Sequence, residues 1–156
     1  MHKFTLGFLV LVIILSACGR APAPKSEPTL ETLAATINVT TPIDELDLIP
    51  NNKCSLREAI VSANENRDVG GCSHSGSYGT ETINIPAGTY YLTRECLLDS
   101  QDCDDLNIHS SMTINGTSAT STIIDASVLA TKYASRVMRI GPRTWGNPFN
   151  STVRLN

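Results

Sequence analysis

The sequence has no excess of basic residues and few aromatic ones, and it contains no apolar run long enough for a permanent membrane helix. Its 156 residues include 12 Lys and Arg against 15 Asp and Glu, a formal net charge of −3. Without a basic stripe, the chain is not expected to bind nucleic acid or an anionic lipid surface. Aromatic residues make up only 5% of the chain, which favours local packing over a stacking surface for sugars.

Patterns that would indicate catalysis are also missing. No Ser lies in a G-x-S-x-G setting, and His74 and His109 stand alone in polar segments. The carboxylates show no spacing that would position a general acid opposite a general base. We therefore predict no catalytic residues, no cofactor and a non-enzymatic role.

The N-terminus has the features of an export signal. A short polar start precedes a mostly apolar run over residues 4–15. A permanent membrane helix needs roughly 20 apolar residues, so a signal peptide is the better fit. The L-S-A-C sequence that ends at Cys18 resembles the bacterial lipobox, which implies cleavage before Cys18 and its acylation. The alternative is an ordinary secretory signal in which Cys18 is incidental.

The remaining chain divides into a tether and a folded region. Residues 18–35 are rich in Ala, Pro, Ser, Thr and Glu, and a segment of this composition cannot bury a core. The predicted domains are thus a lipoprotein signal peptide over residues 1–17, a disordered tether over residues 18–35 and a folded region over residues 36–156. The last alternating segment, residues 151–156, stops without a turn or cap. We therefore expect the sequence to be part of a longer protein.

Four cysteines remain once Cys18 is assigned to lipid, and an even set in an exported chain indicates disulfides. They are Cys54, Cys72, Cys96 and Cys103. Of the three connectivities that four cysteines allow, we expect Cys54–Cys72 and Cys96–Cys103. A helix after Cys54 would carry the chain about 16 Å away, and the following residues are long enough to bring Cys72 back. Zinc bound by Cys54, Cys72 and His74 is the alternative, and the C-x-H spacing disfavours it.

A helix is predicted to begin immediately after Ser55. Ser55 and Glu58 have the S-x-x-E spacing of a capping box, and Asn66 with the glycines that follow marks the end. One narrow apolar face is expected from residues at helical spacing, namely Leu56, Ala59, Ile60 and Ala63. Arg57 lies on the other side, where it either pairs with a carboxylate or is solvated.

The rest of the folded region reads as short strands separated by turn residues. The alternating segments cover residues 36–40, 82–85, 89–92, 106–108, 112–114, 122–124, 137–140 and 152–155. No second long helical pattern interrupts them. A β-sandwich and a parallel β-helix are both compatible with this spacing.

The C-S-L-R-E-A-I sequence at residues 54–60 resembles the signature of the CSLREA domain, which is found near the N-terminus of bacterial surface proteins that continue as right-handed parallel β-helices. Residues 82–92 and 105–108 resemble later segments of the same family. The resemblance implies a mainly β fold in which an amphipathic helix caps the first rungs of a right-handed parallel β-helix. It also implies a helix-cap motif formed by Ser55, Leu56, Arg57, Glu58, Ala59 and Ile60.

The predicted function is that of a lipid-anchored cell-envelope protein, at the outer membrane or cell surface, with a structural or adhesive domain. Its expected partners are the membrane, through the N-terminal lipid, and a cell-surface or polysaccharide ligand. The alternative is the non-catalytic N-terminal part of a β-helical polysaccharide lyase or glycoside hydrolase. A soluble extracellular binding module would require the lipobox to be false.

An acidic loop is the one candidate for calcium, which takes six to eight oxygen ligands. Its carboxylates are Asp99, Asp102, Asp104 and Asp105. Their spacing matches neither the EF-hand loop nor the nonapeptide calcium repeat. We therefore predict an exposed acidic loop and no metal.

Overall fold

The computed structural model describes residues 33–95, 103–129, 136–142 and 152–156. All of these lie in the second of the two units into which the chain divides, residues 31–156. They form one α-helix, α1 (Leu56–Glu65), one 3₁₀ turn (Ser127–Leu129) and nine strands. The strands are β1 (Ala34–Asn38), β2 (His74–Ser75), β3 (Ser77–Asn84), β4 (Gly88–Tyr91), β5 (Leu106–Ile108), β6 (Met112–Asn115), β7 (Thr122–Asp125), β8 (Met138–Ile140) and β9 (Val153–Leu155).

Helix α1 begins and ends where its sequence predicts. The Ser55 hydroxyl accepts a hydrogen bond from the Glu58 backbone N–H at 3.1 Å, and the Glu58 carboxylate accepts one from the Ser55 N–H at 3.0 Å. At the other end, Asn66 adopts the left-handed conformation (φ 52°) and its N–H bonds to the Ser62 carbonyl. The predicted capping box and the predicted end of the helix at Asn66 are both confirmed.

The strands form one five-stranded sheet in the order β2-β1-β3-β6-β9 and two small sheets, β4-β7 and β5-β8. The β1–β2 pairing is antiparallel, and the other pairings are parallel. Register places Ile37, Ile83 and Ile114 side by side on β1, β3 and β6. All three are buried, and each such side chain stabilises the fold by about 1.5–3 kcal/mol.

Helix α1 is part of the core. Eight of its ten residues, Leu56 through Ala63, are buried, so the buried surface includes the predicted apolar face and extends well beyond it. The helix contacts β3 and β5, and its apolar side chains join the cluster formed by the strands. Polar side chains on its other faces must therefore find partners inside the protein.

The predicted fold class, a mainly β chain that starts a right-handed parallel β-helix, is wrong. The described residues form a mixed α/β structure with one buried helix, mostly short strands, one mixed sheet and two small parallel sheets, and no parallel β-helix or other solenoid is detected among them. Each predicted strand segment overlaps an observed strand. The β-helix was inferred from the resemblance of short segments to a family, whereas alternation only locates strands and leaves their pairing to contacts far apart in the chain.

The Cys54–Cys72 disulfide is confirmed, which also removes zinc bound through these two sulfurs. Cys103 is disulfide-bonded too, and its predicted partner Cys96 lies outside the described residues. In the part of the chain that the structure describes, no helix is long and apolar enough to cross a membrane.

Candidate functional site

Several predicted site residues lie outside the described ranges. These are the lipidation residue Cys18 with its signal peptide and most of the tether, Cys96, and two residues of the acidic loop, Asp99 and Asp102. The helix-cap motif and the other half of the acidic loop are described.

Arg57 and Asp44 form a buried ion pair. Their side chains are 1% and 2% exposed, and Arg57 Nε lies 2.6 Å from Asp44 Oδ1. Arg57 Nη2 donates to the second oxygen, Oδ2, at 3.0 Å. This two-pronged contact matches the planar guanidinium to the carboxylate. The predicted alternative in which Arg57 pairs with a carboxylate is confirmed.

The same two side chains hold three backbone segments together. Arg57 also donates to the carbonyls of Asp104 at 2.9 Å and Asp105 at 3.4 Å. Asp44 Oδ2 accepts from the backbone N–H groups of Thr93 at 2.7 Å and Arg94 at 3.1 Å. We call this set the Arg57 hub. Because buried charges need such hydrogen bonds to offset their lost hydration, the hub is a structural element.

Glu58 and Ser55 anchor the loop before the helix. Glu58 Oε1 accepts from the Asp47 N–H at 3.0 Å, and the Ser55 hydroxyl donates to the Glu45 carbonyl at 2.7 Å. Both residues are fully buried. The polar residues of the helix-cap motif therefore position the 44–47 loop against α1.

The described half of the acidic loop is engaged in the fold. Asp105 is buried and forms an ion pair with Arg136, whereas Asp104 is buried with a left-handed backbone (φ 58°). Among the described residues, no group of three or more His, Cys, Asp or Glu side chains is placed to hold a metal ion. The expected exposed loop is thus wrong for these two residues.

A small polar cluster that sequence spacing did not indicate lies beyond the end of α1. Asp68 Oδ1 accepts from the Tyr78 hydroxyl at 2.8 Å and lies 2.7 Å from His74 Nδ1. Burial, followed by the hydrogen bond to Asp68, raises the pKa of Tyr78 well above its ordinary value of 10.0. Tyr78 therefore stays a hydrogen-bond donor through the neutral range, and the cluster ties β2 and β3 to the loop after the helix.

The outer face of the five-stranded sheet carries a row of asparagines that we call the amide row. Asn84 Nδ2 donates to Asn38 Oδ1 at 3.0 Å, and Asn115 Nδ2 donates to Asn84 Oδ1 at 3.3 Å. The row continues with Asn156 Nδ2, which donates to Asn115 Oδ1 at 2.9 Å. Three side chains on β1, β3 and β6, and Asn156 directly after β9, thus form one directional chain of hydrogen bonds.

A second row runs parallel to the first. Thr36, Thr82 and Thr113 are in register, and Arg154 on β9 follows Thr113. Beside this row lies a groove of about 430 Å³. Its lining residues are Thr80, Ser111, Met112, Thr113, Thr152 and Arg154. We call it the hydroxyl groove.

Sequence reasoning missed this face although a signal for it was present. The triplet T-I-N occurs at residues 36–38, 82–84 and 113–115, and R-L-N follows at 154–156. In a strand, alternate residues point to opposite faces. The buried isoleucine of each T-I-N triplet therefore places its two polar neighbours on the outside.

Comparison with known proteins found no matching family model, no matching curated protein and no matching solved structure. The resemblance of residues 54–60 to the CSLREA signature therefore stays a prediction.

Proposed function

We propose that this chain is a lipid-anchored protein of the bacterial cell envelope whose folded part has a structural or adhesive role and is not an enzyme. The observation that carries the proposal is the Cys54–Cys72 disulfide, whose cysteines are 2% and 6% exposed. Disulfides of this kind persist in oxidising compartments and are rare in the cytosol. The buried disulfide therefore supports export of the chain, which is also what the signal-like N-terminus predicts.

The order of segments supports anchoring at Cys18. An apolar leader, a lipobox-like L-S-A-C sequence and a Pro-rich stretch precede the folded part. More than one acyl chain on a protein gives stable membrane attachment. Strand β1 begins at Ala34, so the tether ends before it, and residues 18–33 fully extended would reach about 55 Å, which is enough to hold the folded part clear of the lipid surface.

The burial and hydrogen bonding of the charged side chains around α1 support a non-catalytic role. Arg57, Asp44 and Glu58 are buried and bonded to backbone groups, whereas a general acid or base must reach a substrate proton. The outer face of the sheet, by contrast, presents regularly spaced polar groups, as a surface for contact with another molecule would.

Metabolic labelling tests the anchor. Cells expressing the full chain are grown with an alkyne analogue of palmitate, and the purified protein is coupled to a fluorophore. We expect label on the natural sequence and none on the Cys18→Ser variant. Unlabelled natural protein, or equal labelling of the two, would refute the proposal. An inhibitor of the lipoprotein signal peptidase should also leave the natural chain in its uncleaved form.

A further inference from the structure

We propose that the outer face of the five-stranded sheet, made of the amide row and the hydroxyl groove, binds a linear polysaccharide that carries carboxylate groups. This inference deepens the proposed function and rests on it, because an exported, surface-held chain is one that meets such polymers. The argument has three steps, which concern the spacing of the polar groups, their rigidity and their charge.

The spacing of the polar groups suits a polymer. Neighbouring strands lie about 4.8 Å apart, and residues i and i+2 on one face lie about 6.6 Å apart. The Thr row and the amide row therefore form a regular lattice across β1, β3, β6 and β9. An unbranched polysaccharide presents hydroxyl groups at regular intervals along its length, so several of its sugar units can make the same contact on successive strands.

The amide row is rigid before any ligand arrives. Each amide has two N–H donors and an oxygen with two lone pairs. Within the row, Asn84 and Asn115 each use one donor and one lone pair on their neighbours. One donor and one lone pair therefore stay available on each, which is the combination that a sugar hydroxyl needs. Because the side chains are already ordered, little further side-chain entropy is lost on binding.

The charge of the groove favours a carboxylate. Its lining includes four hydroxyl side chains and the guanidinium of Arg154, and no acidic residue is among the described residues that line it. Within the described residues, no carboxylate forms an ion pair with Arg154. A guanidinium binds a carboxylate with two parallel hydrogen bonds. Uronic acid units offer both that carboxylate and the hydroxyls for the threonines.

Calorimetric titration of the full chain, purified in detergent from whichever cell fraction contains it, tests the proposal. The probes are unbranched hexamers of galacturonic acid and of mannuronic acid, each compared with its methyl ester. We expect at least one acid hexamer to bind, and its ester to bind about tenfold more weakly because the charged hydrogen bonds to Arg154 are lost. No binding of either acid, or equal binding of acid and ester, would overturn the proposal.

Variants assign the binding to this face. Arg154→Gln should abolish the difference between acid and ester, whereas Arg67→Gln, at an exposed arginine that does not line the groove, should leave it unchanged. Thr113→Val should weaken binding of both probes, and Thr89→Val on β4 serves as its control. If Arg154→Gln and Thr113→Val bind the hexamers as their control variants do, the proposed binding site is refuted. Labelling of Cys18 is read separately, so failure of the anchor and failure of this site are distinguishable.

Discussion

Arg57 and Asp44 show how single residues decide the arrangement of several segments. A buried ion pair is costly to form, because both charges leave water, and it persists only with good geometry and further hydrogen bonds. Here the guanidinium reaches two backbone carbonyls and the carboxylate reaches two backbone N–H groups. The pair therefore links the 44–47 loop, the chain after β4 and the acidic loop.

Removing one partner of the ion pair should be strongly destabilising. Asp44→Ala leaves Arg57 buried without its counter-charge and leaves two backbone N–H groups without an acceptor, so we expect a loss of about 3–5 kcal/mol in the free energy of unfolding. Urea denaturation followed by circular dichroism measures it. Arg67→Ala, which breaks an ion pair whose arginine is 62% exposed, should cost about 1 kcal/mol or less. Equal effects of the two substitutions would contradict the structural role of the hub.

Tyr78 makes the stability of the folded protein depend on pH in the alkaline range. Its pKa is raised in the folded protein, chiefly by burial, so the folded state holds the phenolic proton more tightly than the unfolded state. The stabilisation is complete below the ordinary pKa of about 10 and is lost as the pH rises above it. We expect stability to fall more steeply above pH 10 in the natural chain than in Tyr78→Phe. Thermal unfolding at several pH values measures this, and parallel curves would argue against it.

At the scale of elements, the start of α1 and the loop that follows the helix fit against each other. Gly70 adopts a left-handed conformation (φ +59°), and a Cβ added there would lie 1.8 Å from Glu58 Oε1. That carboxylate closes the capping box and accepts from Asp47. A side chain at residue 70 would therefore displace the Glu58 carboxylate from the helix cap.

Gly70→Ala should disturb both ends of this arrangement. The left-handed backbone alone costs about 1 kcal/mol for a residue with a side chain, and displacement of Glu58 adds the loss of the helix cap, about 1 kcal/mol more. Gly141→Ala is the control, since nothing lies within 4 Å of its added Cβ and its backbone does not require a positive φ. Chemical denaturation should show the larger loss for Gly70→Ala, and the reverse order would disprove the proposed fit.

At the scale of the whole molecule, sheets are built from strands that are distant in sequence. Asn38 pairs with Asn84 across β1 and β3, and Met112 pairs with Val153 across β6 and β9. Each such contact requires closing a long loop, which costs conformational entropy. A covalent link between distant positions limits this cost by restricting the unfolded chain.

Loss of the Cys54–Cys72 bond should therefore lower stability through the unfolded state. The cysteines are separated by 18 positions, and a loop of this size corresponds to about 3 kcal/mol. We expect the Cys54→Ser, Cys72→Ser double variant to lose about that much in urea denaturation when compared with the oxidised natural chain. An unchanged midpoint would show that the bond contributes little. Mass spectrometry after thiol alkylation, with the natural chain as reference, verifies the oxidation state.

The sequence predicted local structure well and long-range structure poorly. The capping box of Ser55 and Glu58 was predictable because its bonds join residues three positions apart, and the alternation around Ile83 located a strand. The burial of Arg57 was left open, because its partners Asp44 and Asp105 come from other parts of the chain. The two-residue strand β2 is too short to produce an alternating pattern.

Local order is what the sequence by itself determined about this protein: the ends of α1, the positions of the main strands and a set of cysteines suited to an oxidising compartment. Only the tertiary structure decided that the fold is mixed α/β, that α1 is buried, and that three T-I-N triplets align into one polar face. The physical reason is the sequence separation over which each kind of interaction acts. Caps and alternation arise from neighbours within a few residues, whereas strand pairing and burial arise from contacts between segments that the chain brings together only on folding.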